Sequence, residues 1–153
     1  VHAINPHGYA WVRRVNEDNI DLNRNFVDHT IRRDPNQLYD QAHPYVRPST
    51  EDSAGWAAAD AALEHVAAAN NVSDAMRTVL GGQYEHPDGI FFGGQSPAWS
   101  NDLIRRIIRQ HCESVERVLF LDLHTGLGPF GHAELMCNGH GPQWPARLRQ
   151  ILG

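Results

Sequence analysis

Val118-Leu119-Phe120-Leu121-Asp122-Leu123-His124 is the stretch that decides the reading of the fold. Its apolar residues are nearly continuous and Thr125-Gly126 ends it, so it reads as a strand buried on both faces, as in a parallel or mixed sheet covered by helices. His132 to Cys137 is the expected next strand. Upstream, Ser96 or Ser100 opens a helix to about Cys112, with Leu103, Ile104, Ile107 and Ile108 on one face and Arg105, Arg106 and Arg109 on the other. Ser73-Asp74 caps a short helix through Leu80. An alanine-rich helix runs from about Thr50 to Ala69, with Thr50 or Ser53 as its cap and Trp56, Ala59, Leu63 and Val66 at helical spacing. Helix, strand and loop alternating in this way predict an α/β layer architecture.

The segments between are polar and punctuated. Asn5-Pro6-His7-Gly8 is a turn signal. Tyr9 to Asp52 is rich in Arg, Asn, Asp and Pro with little periodicity, and a loop that long in a compact domain is usually functional. Gly81-Gly82, Pro87-Asp88-Gly89 and Gly93-Gly94 bracket another irregular segment containing Phe91-Phe92. The start at Val1-His2-Ala3-Ile4 reads as the latter half of a strand, and Gly153 falls just after an amphipathic stretch has begun. The 153 residues are therefore expected to be one incomplete domain, an internal piece of a larger one.

Composition excludes several chemistries. All 13 basic residues are arginine, which rules out Schiff-base lysines, a P-loop lysine and a Ser-x-x-Lys acylase. Arginine favours two-pronged recognition of carboxylates or phosphates, because the guanidinium is always charged and presents a rigid fork of donors. A net charge of −5 argues against a nucleic-acid partner. No apolar run approaches the roughly 18 residues of a membrane span. Cys112 and Cys137 are too far apart for a zinc knuckle and read as small buried hydrophobes.

Two constellations carry chemistry. Asp122 and His124 sit at the carboxyl end of the expected strand, where ligand sites of open α/β sheets lie. Alternate strand residues share a face, so the carboxylate can orient the imidazole as a metal ligand from behind. A satisfied core histidine is the plainer alternative. In Asn19-Ile20-Asp21-Leu22-Asn23-Arg24-Asn25-Phe26, Asn23 and Arg24 place amide donors beside a guanidinium fork, a pair suited to a substrate carboxylate. His7, His29, His43 and His86 fall in expected loops, dispersed and without ligand spacing.

Asn5-Pro6-His7-Gly8-Tyr9, the arginines near Trp11, Asp21-Leu22-Asn23-Arg24-Asn25-Phe26 and Asp122-Leu123-His124-Thr125-Gly126, in that order, resemble the zinc carboxypeptidase superfamily. Within it the chain is most similar to the M14-like branch known as DUF2817, near the succinylglutamate desuccinylases and aspartoacylases. Gly81-Gly82-Gln83-Tyr84, Pro87-Asp88-Gly89 and Gly126-Leu127-Gly128-Pro129 add to the likeness.

The resemblance implies a three-layer α/β/α fold with a mixed, largely parallel sheet, and zinc (Zn2+) as cofactor. It makes His124 the third zinc ligand, with Asp122 behind it. Asn23 and Arg24 would hold a substrate carboxylate, and Arg14, or failing it Arg13, would polarise the scissile carbonyl. The family's other two zinc ligands come from a His-x-x-Glu motif, which the chain lacks: His111 and His132 each precede a glutamate by two residues, the wrong spacing. The general-base glutamate normally lies beyond the region where the chain stops, and Glu134 follows the strand too closely to replace it.

The expected function is that of a zinc-dependent amide hydrolase of the metallocarboxypeptidase type. Its substrate would be a small peptide or N-acyl amino acid with a free carboxylate, and the 153 residues alone are expected to bind zinc weakly and hydrolyse nothing. The second reading is a non-catalytic carboxylate-binding module with a degenerate metal site. Neither a nucleic acid nor a membrane is expected as partner, and low cysteine usage favours the cytoplasm.

Overall fold

The computed structural model describes residues 3–46, 48, 52–71, 79–118, 129–131, 146 and 150. Two compact units divide the chain, Val1–Glu116 and Arg117–Gly153. The first holds every element described below.

Among the described residues the regular elements are helices: α1 (Pro6–Trp11), α2 (Leu22–Asn25), α3 (Gln37–Val46), α4 (Ser53–Ala69) and α5 (Trp99–Cys112). None of these residues forms a strand or sheet, and an isolated parallel bridge between Gln83 and Phe92 is the extended pairing present. The α/β expectation is thereby corrected. It rested on residues 118–124 and 132–137, which lie outside the described residues apart from Val118, and Val118 is exposed, irregular chain. Helix caps and side-chain-to-backbone hydrogen bonds organise the described part instead.

Asn5-Pro6-His7-Gly8, expected as a turn, is the start of α1. The Asn5 side chain accepts from the Gly8 N–H at 2.9 Å, and Pro6 takes the first helical position, where a missing N–H costs nothing. A side chain at Gly8 would run into Asn5 and the Arg13 carbonyl. The helix ends at Val12 in the left-handed region, φ 53, with its N–H returned to the Gly8 carbonyl.

α3 falls inside the segment expected to be one long loop. Asn36 supplies the start signal, its Oδ1 accepting from the Tyr39 N–H at 3.0 Å, while Pro44 within the helix obscures the pattern in the sequence. α4 and α5 match their expected helices closely. Asp52, rather than Thr50 or Ser53, caps α4 by accepting from the Gly55 N–H at 2.6 Å. α5 begins after Ala98 without a side-chain cap, because the Ser100 hydroxyl donates instead to the Ile4 carbonyl at 2.7 Å. The short helix expected from Ser73 to Leu80 lies mostly outside the described residues.

α3 packs on α4, and α2 on α5. The apolar core beside α2 is small: Ile20, Phe92 and Ala98, with Leu22 against them. Polar side chains share the interior, and Asn25 is fully buried. Its Nδ2 donates to the carbonyls of Gly93 (2.8 Å) and Ser96 (2.9 Å), while its Oδ1 accepts from the Ala98 N–H (2.8 Å) and Asn101 Nδ2 (2.9 Å). Both ends of this amide are satisfied, the condition for burying one. Asn25 thereby ties α2 to the Gly93–Ala98 turn and to α5.

Candidate carboxylate-binding site

The residues after α1 are set by asparagines. Asn16 Oδ1 accepts from the N–H groups of Ile20 (2.7 Å) and Asp18 (3.1 Å), closing the loop that delivers Asp21. Asn19, at φ 59, donates from its amide to the Pro87 and Gly89 carbonyls at 2.9 and 2.8 Å. Left-handed backbone is easiest for Gly and Asn, so this position suits its residue.

Asp21 is 2 % exposed and divides its carboxylate between two duties. Oδ1 caps α2 by accepting from the Asn23 N–H at 3.0 Å, and Oδ2 accepts from Arg14 Nε at 2.8 Å. Arg14 is thus held through the inner nitrogen of its guanidinium. Its two terminal nitrogens have no hydrogen-bond partner among the described residues, and its side chain is 54 % exposed. Among the described residues Arg13 has no such anchor: its backbone N–H donates to the Gly8 carbonyl, and the residue is exposed. Arg14 is therefore the better placed of the two arginines.

Asn23 is exposed at the same turn. Arg24 points its Nε and Nη2 at the Leu80 carbonyl, and its Nη1 at the Asn23 carbonyl at 3.2 Å. The stem of Arg24 lies over Gly82, where an added Cβ would come within 2.7 Å of Arg24 Cδ and where φ is +96. Tyr84 completes the support by donating from its hydroxyl to the Arg24 carbonyl at 2.7 Å.

One ring joins the two arginines. The guanidinium carbon of Arg14 stands 5.6 Å from the centroid of Phe91, and that of Arg24 stands 6.0 Å from it. Each contact is worth about 0.5–1 kcal/mol where the ring is partly exposed. Phe91 has φ 55. For a bulky residue this is strained backbone, costing on the order of 1–3 kcal/mol and characteristic of functional segments. Gln83 holds the strained turn: its N–H donates to the Phe91 carbonyl at 3.1 Å, and its buried side chain bonds within the 83–90 loop. The Asp21 N–H donates to the Phe92 carbonyl at 2.7 Å, fixing this loop to the Asp21 turn.

A second cluster lies where α3 meets the same loop. The rings of His43 and His86 stack with centroids 4.0 Å apart. His86 Nε2 lies 2.7 Å from Asp40 Oδ1, and His43 Nε2 lies 3.5 Å from Asp88. Two histidines that look dispersed in sequence thus meet, and His7 and His43 are helical rather than in loops. Burial pushes the neighbouring Tyr39 hydroxyl above its ordinary pKa. A surface depression of about 640 Å³ lies elsewhere, lined by Phe26, His29, Asn101 and Arg105 among others, and it excludes Arg14, Asn23, Arg24 and Phe91.

A family model for proteins of unknown function, DUF2817, matches residues 1–152. The chain belongs to the DUF2817 family. No curated protein and no solved structure matches it. In this DUF2817 chain the structure brings together Arg14, Asn23 and Arg24, with Asp21 and Phe91 between them. His124 and Asp122 lie outside the described residues. Among the described residues no group of three His, Cys, Asp or Glu side chains could hold a metal ion, and no helix is long and apolar enough to cross a membrane.

Proposed function

We propose that this DUF2817 chain carries the substrate-carboxylate and oxyanion side of a zinc-dependent amide hydrolase of the metallocarboxypeptidase type, acting on a peptide or N-acyl amino acid. The observation that supports the reading is the Arg14–Asp21 hydrogen bond beside Asn23 and Arg24. It leaves the terminal donors of one guanidinium available at a fixed place, next to an exposed amide and a second guanidinium.

The roles follow from the geometry. Asp21 holds Arg14 at Nε, so a developing oxyanion meets Nη1 and Nη2 with the guanidinium already oriented. A donor aimed in this way acts chiefly in the transition state and contributes about 3 kcal/mol. Arg24 donates to neutral carbonyls, those of Leu80 and Asn23. A carboxylate is the stronger partner for a guanidinium, so ligand entry exchanges the Leu80 carbonyl for the ligand's oxygens, and the Asn23 amide supplies a further donor.

Zinc remains the expected cofactor, with His124 as its ligand in this chain. The described residues suit the substrate's carboxylate rather than a metal. When bound, zinc would polarise the scissile carbonyl and lower the pKa of a water toward neutrality.

The test is hydrolysis of N-acetyl amino acids and short peptides by the full-length protein with added zinc, compared with its Arg14→Ala, Arg24→Ala and His124→Ala variants. Loss of rate in all three is expected. An unchanged rate and metal content in His124→Ala would remove the metal assignment, and ligand binding without any hydrolysis would leave a carboxylate-binding module.

A further inference from the structure

The proposed site leaves open which carboxylate it prefers, and Phe91 bears on that choice. Its half-buried ring is in contact with both arginines, at 5.6 and 6.0 Å from their guanidinium carbons. Its backbone is held at φ 55, a conformation that most residues avoid and that nothing in the sequence of the turn requires of a phenylalanine. The flanking Ile90 and the nearby Leu80, whose carbonyl receives Arg24, are 43 % and 42 % exposed. Exposed aliphatic side chains therefore flank the ring that the two arginines share.

Charge balance points the same way. Arg14 and Arg24 bring two positive charges to the ring, and the buried Asp21 carboxylate offsets one of them. Arg33, further along the same segment, is turned onto the Tyr84 ring at 4.7 Å and donates to the Asp28 and Ile31 carbonyls. Among the groups in contact with Phe91 and their ion-pair partner one net positive charge remains, which matches a single carboxylate. A second carboxylate on the ligand would meet a phenyl face and exposed aliphatic side chains, where an unpaired charge is costly.

Resting on the carboxylate-site reading above, we propose that Phe91 is a specificity-determining residue: it selects a monocarboxylate ligand whose apolar side chain lies on its ring, such as an N-acyl aromatic or aliphatic amino acid, over an N-acyl dicarboxylate. The ring also spaces the guanidiniums, so that one meets the carboxylate and the other the acyl carbonyl.

The experiment is calorimetric binding of N-acetyl-L-phenylalanine and N-acetyl-L-aspartate to the full-length protein, repeated with Phe91→Leu and Phe91→Gly. The glycine variant accepts the left-handed backbone without strain and so keeps the turn. The unmodified chain is expected to bind the phenylalanine derivative at least about tenfold more tightly, the scale set by one apolar pocket contact. Phe91→Leu keeps part of that preference, and Phe91→Gly brings the ratio near one. Equal or tighter binding of the aspartate derivative, a ratio unchanged in Phe91→Gly, or binding of neither compound overturns the proposal. Hydrolysis separates the two readings. The preference without zinc-dependent hydrolysis removes the hydrolase and keeps the role of Phe91, whereas hydrolysis with the preference reversed does the opposite.

Discussion

Arg14 Nε and Asp21 Oδ2 lie 2.8 Å apart, and the same aspartate caps the four-residue helix that carries Asn23 and Arg24. One buried carboxylate therefore sets the orientation of an arginine seven positions upstream and the start of the turn just downstream. Asp21→Ala removes the cap, about 1 kcal/mol, and a charge-assisted hydrogen bond, so a total loss of about 2 kcal/mol is expected in urea unfolding. Asp21→Asn keeps an acceptor for the cap and should fall between. In the Nε region of a ¹⁵N NMR spectrum the Arg14 resonance loses its protection from exchange in both variants.

Arg13 and Arg14 are adjacent, and the structure separates them. Arg14→Ala is expected to lower hydrolysis by the full-length protein about 100- to 1,000-fold, the range for removing one oxyanion donor. Arg13→Ala should stay within a factor of two or so of the parent, since Arg13 is exposed and no side-chain hydrogen bond or ion pair of it is present among the described residues. Steady-state rates on one N-acetyl amino acid decide it, and equal losses in both variants would contradict the assignment.

The signals that were legible in the sequence were the local ones. The alanine pattern marks α4, though its cap is Asp52 rather than Thr50 or Ser53, and the Leu103–Ile108 stripe marks α5, because helical periodicity acts within a few residues. Arg14, Asn23 and Arg24 could be picked as a group from residue type and order, yet their spacing says nothing of the ring that joins them. Phe91 lies 67 positions beyond Arg24, and its left-handed turn is signalled only by the glycines on either side. Pro44 hides α3, and the runs that predict a sheet lie almost wholly beyond the described residues. Asn25 looks like a repeat of Asn23 in the motif, but one is fully buried and the other exposed. Burial of this kind depends on contacts made from the far side of the chain.

Asn25→Ala tests that difference. It strands the buried Ala98 N–H and Gly93 carbonyl, each costing about 1–3 kcal/mol when left unpaired, so a loss of at least about 2 kcal/mol is expected. Asn23→Ala should cost less than about 0.5 kcal/mol in the same thermal or urea measurement while weakening ligand binding.

Gly82→Ala places a Cβ against the Arg24 stem at a positive φ. A loss of about 1 kcal/mol is expected, with weaker carboxylate binding because Arg24 must shift. A binding isotherm unchanged from the parent would show that the Arg24 conformation is not needed by the ligand.

Tyr39 gives the chain a defined alkaline limit. Burial raises its pKa above the ordinary value of 10.0, so the unfolded chain releases this proton first as pH rises. The stability associated with the neutral hydroxyl is complete below pH 10 and is lost as pH climbs through the folded-state pKa. Tyr39→Phe should move the alkaline unfolding midpoint upward, followed by circular dichroism across that range.

The amide of Asn25 accepts from Asn101, 76 positions later in the chain, and Asn19 reaches Pro87 and Gly89 across 68 and 70 positions. Contacts of such separation form late, because a long loop must close before they repay it. During synthesis at ~5–20 residues per second, the Asp21–Phe26 segment waits roughly 4–15 s on the ribosome for α5 to emerge. In that interval the two arginines have neither Phe91 nor the Leu80 carbonyl to hold them, so the turn that presents them is complete only after the 80–93 loop has left the ribosome.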